Sequence, residues 1–128
     1  MPRTGYDGPR TARCGEIDAV AALATSVFRS SAGDMSAEYP LLFHPDRPRQ
    51  LHIITTRAGD PVSLVGMTVN RVVMYGCTTA VACIGAVCTA EAHRGKGLAG
   101  RLVDAAARAA RRAGATVMLI SGGRSLYE

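Results

Sequence analysis

The chain has 128 residues, of which 48% are hydrophobic and 20% are charged, and it carries a formal net charge of +5. This composition is typical of one folded domain spanning residues 1–128, and it excludes a disordered or coiled-coil chain. Because no apolar stretch approaches the roughly 20 residues of a membrane span, and the first residues lack the apolar core of a secretory signal, we expect a cytoplasmic protein with no membrane partner.

The first half of the chain predicts a strand, a helix and a turn-rich segment. Pro9–Arg13 is a short candidate strand. Apolar residues recur at helical spacing after Glu16, which indicates a first helix ending near Phe28. The segment 30–48 is rich in turn formers, and we expect a short helix within it from Ser36 to Phe43.

The second half predicts an antiparallel meander followed by a helix and a strand. Leu51–Arg57 and Val62–Val73 are candidate strands, and a third runs from Cys77 to Thr89. The small and apolar residues of this third strand are typical of a central strand covered on both faces, and Gly85 allows a bulge within it.

An amphipathic helix begins at Leu98 and ends before Gly114, and Val117–Ile120 follows as a strand. A strand, a helix and a strand in this order form a parallel, right-handed β-α-β unit. The sequence therefore predicts an α/β (α+β) fold with a mixed, mostly antiparallel sheet.

The segment between the third strand and this helix is the most informative part of the chain. Gly95 and Gly97 lack the Cβ atoms that would keep a ligand away from the backbone, and Arg94 and Lys96 add two positive charges. The start of the helix leaves amide N–H groups without intrahelical partners and carries partial positive charge. This combination predicts a site for a phosphate or pyrophosphate.

Other glycine turns are the alternatives to this interpretation, as is a purely structural turn. The P-loop pattern G-x-x-x-x-G-K-[ST] fails because Gly97 follows Lys96. The dinucleotide pattern G-x-G-x-x-G fits Gly95, Gly97 and Gly100. However, the acidic residue that this pattern needs about 20 residues later is missing, since Ser121 follows the next strand.

The four cysteines and three histidines show no spacing typical of a metal site, so no metal is predicted. Cys77, Cys83 and Cys88 fall on predicted strands, where a reduced cysteine packs as a small apolar residue. A nucleophilic Cys88 is the alternative, although no histidine can be placed beside it from the sequence.

The basic charge predicts attraction to anions. It argues only weakly for nucleic acid, because aromatic residues make up 5% of the chain and are not interleaved with the basic ones as a stacking platform requires. The phosphates of a coenzyme would benefit from the same charge.

The segment Arg94–Ala99 reads R-G-K-G-L-A and resembles the Q/R-x-x-G-x-G/A signature of the GNAT superfamily of N-acetyltransferases at every defined position. In that family the signature wraps the pyrophosphate of acetyl-coenzyme A. The resemblance implies acetyl-CoA as the cofactor, bound by Arg94, Gly95, Lys96, Gly97, Leu98, Ala99 and Gly100. It also implies that the strand end pairs through its backbone with the pantetheine amides, at Val87, Cys88 and Thr89.

Within the superfamily the chain is most similar to the enhanced-intracellular-survival (Eis) type, whose strand-to-helix segment reads V-x-x-x-x-x-H-R-x-x-G-L and matches His93, Arg94, Gly97 and Leu98. The last residues, 121–128, resemble that group's glycine pair leading into a tyrosine, which implies Tyr127 as the general acid. The chain ends at Glu128, where the family continues with further strands. It therefore looks like the N-terminal portion of a larger acetyltransferase whose C-terminal strands are absent, or a naturally shortened one.

The resemblance implies that an acetyl group moves from acetyl-CoA to an amine, on a small molecule or a peptide, by direct attack. The segment 30–48 borders the acceptor site in this fold, and its polar candidates are Asp34, Glu38, Tyr39, His44 and Asp46. The candidate strand Cys77–Thr89 contains no acidic residue that could act as a general base. A non-catalytic acyl-CoA-binding module and a nucleic-acid-binding domain are the other functions considered, and a homo-oligomer is left open.

Overall fold

The computed structural model describes residues 5–28 and 33–120 of the chain. The described residues include one five-stranded sheet, in which the strands lie side by side in chain order. The strands are β1 (Tyr6–Thr11), β2 (Leu51–Thr56), β3 (Pro61–Met74), β4 (Cys77–Thr89) and β5 (Ala115–Ile120). The α-helices are α1 (Ile17–Phe28), α2 (Met35–Glu38) and α3 (Leu98–Arg112).

The sheet is mixed, as predicted. Strands β1 to β4 pair antiparallel, whereas β4 and β5 are parallel and are joined by α3. The α/β fold with one parallel β-α-β unit is thereby confirmed. In the described part of the chain, none of the helices is long and apolar enough to cross a membrane.

The sheet separates two apolar clusters, because alternate side chains of a strand point to opposite faces. One cluster lies against α1 and includes Val20, Ala24, Leu51, Ile53 and Leu64. The other lies against α3 and includes Ile54, Val65, Ile84, Leu102 and Ala106. Helix α3 buries Leu98, Leu102, Ala106 and Ala110, which are spaced four residues apart and form one stripe along the helix.

Several element boundaries differ from the prediction. Strand β1 begins at Tyr6 rather than Pro9, and β5 begins at Ala115 rather than Val117. Helix α2 ends at Glu38 instead of reaching Phe43. Pro40 explains the early end, because proline has no amide to donate and disfavours the helical conformation of the residue before it.

Candidate functional site

The turn between β4 and α3 needs glycine at two positions. After a short 3-10 helix, Glu91–His93, the chain passes through Gly95 with φ of 81° and Gly97 with φ of 75°. Both values lie in the left-handed region, where the Cβ of an L-residue crowds the backbone. Gly97 is also the residue that precedes the first turn of α3. The glycines that define the sequence motif are therefore required by the backbone.

The space in front of this turn is not filled by the protein. A Cβ atom added at Gly95, Gly97 or Gly100 would have no described atom beyond the adjoining residues within 4 Å. Among the described residues, no side chain caps the start of α3. Successive amides at the beginning of a helix of this length, 15 residues, can bind anions.

Two basic side chains flank the turn. Arg94 is exposed and its Nε donates to the carbonyl oxygen of Thr89 at 3.1 Å, which ties the turn to the end of β4. Lys96 is exposed between the two glycines. The turn therefore combines a helix N-terminus that no described side chain caps with two cations, and these are the features from which the sequence predicts a phosphate site.

Strand β1 braces this turn from the side. The Tyr6 hydroxyl is hydrogen-bonded to Nδ1 of His93 at 2.7 Å, and the two rings meet edge to face with centroids 5.6 Å apart. Arg101, in the first turns of α3, donates to the carbonyl oxygen of Gly8 at 3.2 Å. The sequence did not indicate these contacts, because their partners are 87 and 93 residues apart and follow no local pattern.

Strand β4 carries a bulge near the turn. Leu64 of β3 pairs with Cys88 and Gly66 pairs with Gly85, so one residue of β3 faces two of β4. One of those two, Ala86, has φ of 55°, which is unusual for a residue with a side chain. The bulge predicted at Gly85 is therefore present and is centred on the next residue.

Beyond the bulge, one edge of β4 is open in the described structure. Strand β5 pairs with β4 as far as Ile84, and no described strand pairs with that edge from Gly85 to Thr89. An extended ligand can add to such an edge through backbone hydrogen bonds, as a further strand would. The predicted contact residues Val87, Cys88 and Thr89 lie on this segment.

For several predicted contact residues, the backbone is the only part available to a ligand. The side chains of Val87, Cys88 and Leu98 are buried in the core. Burial raises the pKa of the Cys88 thiol to about 12, so the thiol stays protonated at neutral pH. This excludes Cys88 as an accessible nucleophile, because the thiolate is the reactive form. The hydroxyl of Thr89 is hydrogen-bonded to that of Ser63 at 2.9 Å.

A cleft of about 490 Å³ lies on the α1 side of the sheet. Its floor contains Gly66 and Gly85, which are paired across β3 and β4. Its wall is the segment Glu38–Leu42, with Arg47 and Gln50 beside it. Gly85 is adjacent to the bulge, so the cleft opens next to the edge of β4 that no described strand covers.

Gly66 is needed for the wall to close over the floor. A Cβ atom at this position would lie 2.9 Å from Cδ2 of Leu42 and 3.1 Å from the carbonyl oxygen of Gly85. Both distances are shorter than ordinary contacts between such atoms. Of the five polar candidates in segment 30–48, Glu38 and Tyr39 line the cleft, whereas Asp34, His44 and Asp46 do not.

Two remaining predictions concern a tyrosine and metals. Tyr127 lies outside the described residues. Within residues 5–28 and 33–120, no group of three or more histidine, cysteine, aspartate or glutamate side chains is placed to hold a metal ion.

The profile of the acetyltransferase (GNAT) family matches residues 16–125. The chain therefore belongs to the GNAT family of acetyltransferases. A search of curated protein sequences finds no significant match.

Solved structures share the fold at low sequence identity. A putative acetyltransferase from Agrobacterium tumefaciens is 21% identical, with a TM-score of 0.68 over 95% of this chain and 83% of that one. Glucosamine-6-phosphate N-acetyltransferase from Arabidopsis thaliana is 10% identical, with a TM-score of 0.70 over 94% and 84%. Aminoglycoside N-acetyltransferase AAC(6')-Iy, solved with CoA, is 16% identical, with a TM-score of 0.70 over 96% and 81%.

Proposed function

We propose that the chain is an N-acetyltransferase that moves the acetyl group of acetyl-CoA to a primary amine. The observation that carries this proposal is the turn at the start of α3, where the exposed cations Arg94 and Lys96 alternate with the left-handed glycines Gly95 and Gly97, beside which an added Cβ meets no described atom. Amides at a helix N-terminus suit the two phosphates of a pyrophosphate. We assign Arg94, Gly95, Lys96, Gly97, Leu98, Ala99 and Gly100 to this role.

The edge of β4 that no described strand covers, from Gly85 to Thr89, supports the next part of the proposal. The pantetheine arm pairs with the backbone of Val87, Cys88 and Thr89, and its thioester lies near the bulge. At about 3.3 Å per residue, Gly85 is roughly 13 Å along the strand from Thr89. An extended arm of that length reaches from the turn to the cleft floor, where an acceptor has room.

The reaction is direct attack. The amine, neutral after losing a proton to solvent, forms a C–N bond with the thioester carbonyl carbon, and the C–S bond breaks. Backbone N–H groups at the end of β4 stabilise the negative charge that develops on the carbonyl oxygen. The departing thiolate takes a proton from the phenol of Tyr127, whose ordinary pKa of about 10 keeps it protonated at neutral pH. The positively charged nitrogen releases a proton to solvent as the amide forms, and the Tyr127 phenolate takes one back from solvent.

Two finer parts of the proposal rest on the sequence. The match at His93, Arg94, Gly97 and Leu98 favours the Eis-type subgroup. We further propose a cytoplasmic enzyme with a small-molecule or peptide acceptor, and the net charge of +5 favours its binding of the anionic coenzyme.

Mass spectrometry of the products of acetyl-CoA and a panel of primary amines tests this function. We expect N-acetylated amine and free CoA in equal amounts. The double variant Arg94→Ala/Gly97→Glu is expected to lose this activity, whereas the matched double variant Arg111→Ala/Gly76→Glu, altered at the other end of α3 and in the β3–β4 turn, keeps it. Saturable acetyl-CoA binding without transfer indicates a binding module instead. A folded chain that does not bind acetyl-CoA contradicts the proposal.

A further inference from the structure

The outer half of β3 has no strand partner on one of its edges in the described part of the chain. Strand β2 pairs with β3 only as far as Gly66, whereas β4 pairs with it as far as Met74. The segment Met67–Met74, named here the β3 arm, therefore presents a row of backbone N–H and C=O groups that no described strand covers. A further extended chain can pair with such an edge.

The side chains of the β3 arm do little to protect this edge. Natural proteins guard an edge strand with charged residues, prolines or bulges. The β3 arm contains one charged residue, Arg71, and no proline. Its apolar residues Val69, Val73 and Met74 are exposed, and Val73 is exposed to 71%. Clustered apolar side chains in water mark interaction sites, so the arm has the properties of a docking edge.

Positive charge surrounds the same edge. A cavity of about 620 Å³ lies between the first residues of the β3 arm and the segment 46–50. Arg47 and Arg49 line this cavity, and Asp46 is the only acidic residue that does. Neither arginine forms an ion pair with a described residue, and the same is true of Arg71. A negatively charged partner would therefore complement this edge.

We propose that the β3 arm binds an extended acidic segment of a partner protein, which adds to the sheet antiparallel to β3 and in line with β2. Residues 69, 71 and 73 share one face of the strand, because side chains alternate. The partner segment therefore places a carboxylate opposite Arg71 and apolar side chains opposite Val69 and Val73, and its acidic C-terminal end meets Arg49.

Two features separate this partner from other ligands. A second copy of this chain is disfavoured at the β3 arm, because it would bring a further net charge of +5 to a basic surface. The arm also lies at the opposite end of the β3–β4 pair from the turn at Arg94–Gly97, since Thr89 pairs with Ser63. Binding at the arm therefore needs no acetyl-CoA.

Fluorescence anisotropy with a labelled peptide of sequence Thr-Val-Thr-Glu-Thr-Val-Thr-Glu tests this inference. With its last residue opposite Met67, the antiparallel peptide places valines opposite Val69 and Val73 and a glutamate opposite Arg71. We expect saturable binding to the wild type, with and without acetyl-CoA. The same peptide with lysine in place of both glutamates should bind at least about tenfold more weakly.

A matched pair of double variants tests the charge of the edge. Arg49→Gln/Arg71→Gln should weaken binding of the acidic peptide about tenfold. Arg108→Gln/Arg111→Gln removes the same charge from the exposed face of α3 and should leave this affinity nearly unchanged. Both variants should keep the wild-type melting temperature, because none of these four arginines forms an ion pair with a described residue.

Two N-methylated forms of the peptide distinguish strand addition from general attraction between charges. One form is methylated at the amides of its valines and glutamates, and the other at the amides of its threonines. Only alternate amides of an added strand face the sheet edge. We therefore expect one form to bind at least about tenfold more weakly than the other.

Several results would overturn the inference. They are no binding of the acidic peptide, equal binding of the acidic and basic peptides, equal affinities of the two double variants, and equal binding of the two N-methylated forms. A wild-type dimer that Val73→Lys dissociates would also overturn it, because a second copy would then occupy the edge. Tighter binding of an oligothymidylate than of the acidic peptide, lost in Arg49→Gln/Arg71→Gln, would assign the edge to nucleic acid instead.

Discussion

The turn at the start of α3 and the cleft beneath α2 are built in different ways. The turn is a continuous segment of four residues, Arg94–Gly97, whose backbone conformation and charges form the proposed cofactor site. The cleft is assembled from separate segments: the wall 38–42, the residues Arg47 and Gln50, β3 around Gly66 and β4 around Gly85. The first site is therefore encoded locally, whereas the second exists only after the sheet and α2 have packed.

This difference predicts that the two sites respond to different substitutions. Changes of charge or of backbone freedom in the turn should alter cofactor affinity alone. Changes in packing around the cleft should alter acceptor affinity alone. Strand β4 joins the two sites, so its bulge at Ala86 is the point at which they meet.

Removing the two cations of the turn is expected to have the largest effect. Two charge-assisted hydrogen bonds to phosphate contribute about 3 kcal/mol together, so Arg94→Ala/Lys96→Ala should weaken acetyl-CoA binding about 100-fold. Arg111→Ala/Arg112→Ala removes the same charge from the other end of α3 and should leave the affinity nearly unchanged. Equal losses in both proteins, measured by calorimetry, would show that overall charge rather than the turn binds the cofactor.

The Arg10–Glu16 ion pair should affect the stability of the fold without affecting ligand binding at either site. Nη1 and Nη2 of Arg10 donate to the Glu16 carboxylate at 2.8 and 2.7 Å, and this lowers the pKa of Glu16 to about 2. A lowered carboxyl pKa stabilises the fold above the ordinary value of 4.5, and this stabilisation is lost as pH falls towards 2. Glu16→Gln should therefore reduce the free energy of unfolding by about 2 kcal/mol at pH 7, and by progressively less in acid.

Urea unfolding of the wild type and Glu16→Gln between pH 7 and pH 2 measures this effect. Neither acetyl-CoA affinity nor amine affinity should change at pH 7, since Glu16 lines neither site. A stability difference that stays constant down to pH 2 would contradict the assignment of the pair.

Filling the cleft floor should affect only the acceptor. Gly66→Ala places a methyl group against Leu42 and the Gly85 carbonyl, so the wall must move outward. We expect the amine KM to rise about tenfold, equivalent to about 1.4 kcal/mol, with an unchanged KM for acetyl-CoA. If the KM for acetyl-CoA rises as well, the two sites are not separable across β4.

The Tyr6–His93 contact should have a smaller effect, on the turn only. Tyr6→Phe removes one hydrogen bond of about 1 kcal/mol but keeps the ring contact, so acetyl-CoA affinity should fall about fivefold while the amine KM stays constant. Tyr75→Phe, at a fully exposed side chain, is the matched control. Unchanged cofactor affinity in Tyr6→Phe would show that the contact does not position the turn.

The last prediction concerns the reactivity of the cysteines towards a thiol reagent, where the smallest effect is expected. Cys14 and Cys77 are exposed and should react readily with a thiol reagent at pH 8. Cys88, with a pKa raised to about 12 by burial, should not react in the folded protein. Peptide mapping after alkylation tests this expectation, and rapid modification of Cys88 would reopen the nucleophile hypothesis.

The sequence predicted the turn because its physical requirements are local. Gly95 and Gly97 were recognised from their spacing, and the structure shows the left-handed backbone that requires them. The element order and the parallel β4–β5 pair also followed from periodicity. These features depend on residues close to one another in the chain, so a pattern can reveal them.

The cleft and the contacts that β1 makes with the turn and α3 could not be predicted in the same way. The sequence did not indicate that position 66 must be a glycine. The need for glycine arises from Leu42, which tertiary packing brings over this position. Glu38 was one of five equivalent polar candidates until the early end of α2 placed it at the cleft. Tyr6 and His93 come into contact only when β1 takes its place at the edge of the folded sheet.

A calorimetric titration of acetyl-CoA into the wild type, Gly97→Glu and Gly76→Glu tests the central claim most directly. Gly97 and Gly76 have similar left-handed backbones, with φ of 75° and 80°, and neither has a described atom near an added Cβ. The two substitutions therefore impose similar strain and charge at different places. We predict saturable binding by the wild type and Gly76→Glu, and none by Gly97→Glu. Wild-type affinity in Gly97→Glu would contradict the assignment of the turn as the acetyl-CoA site.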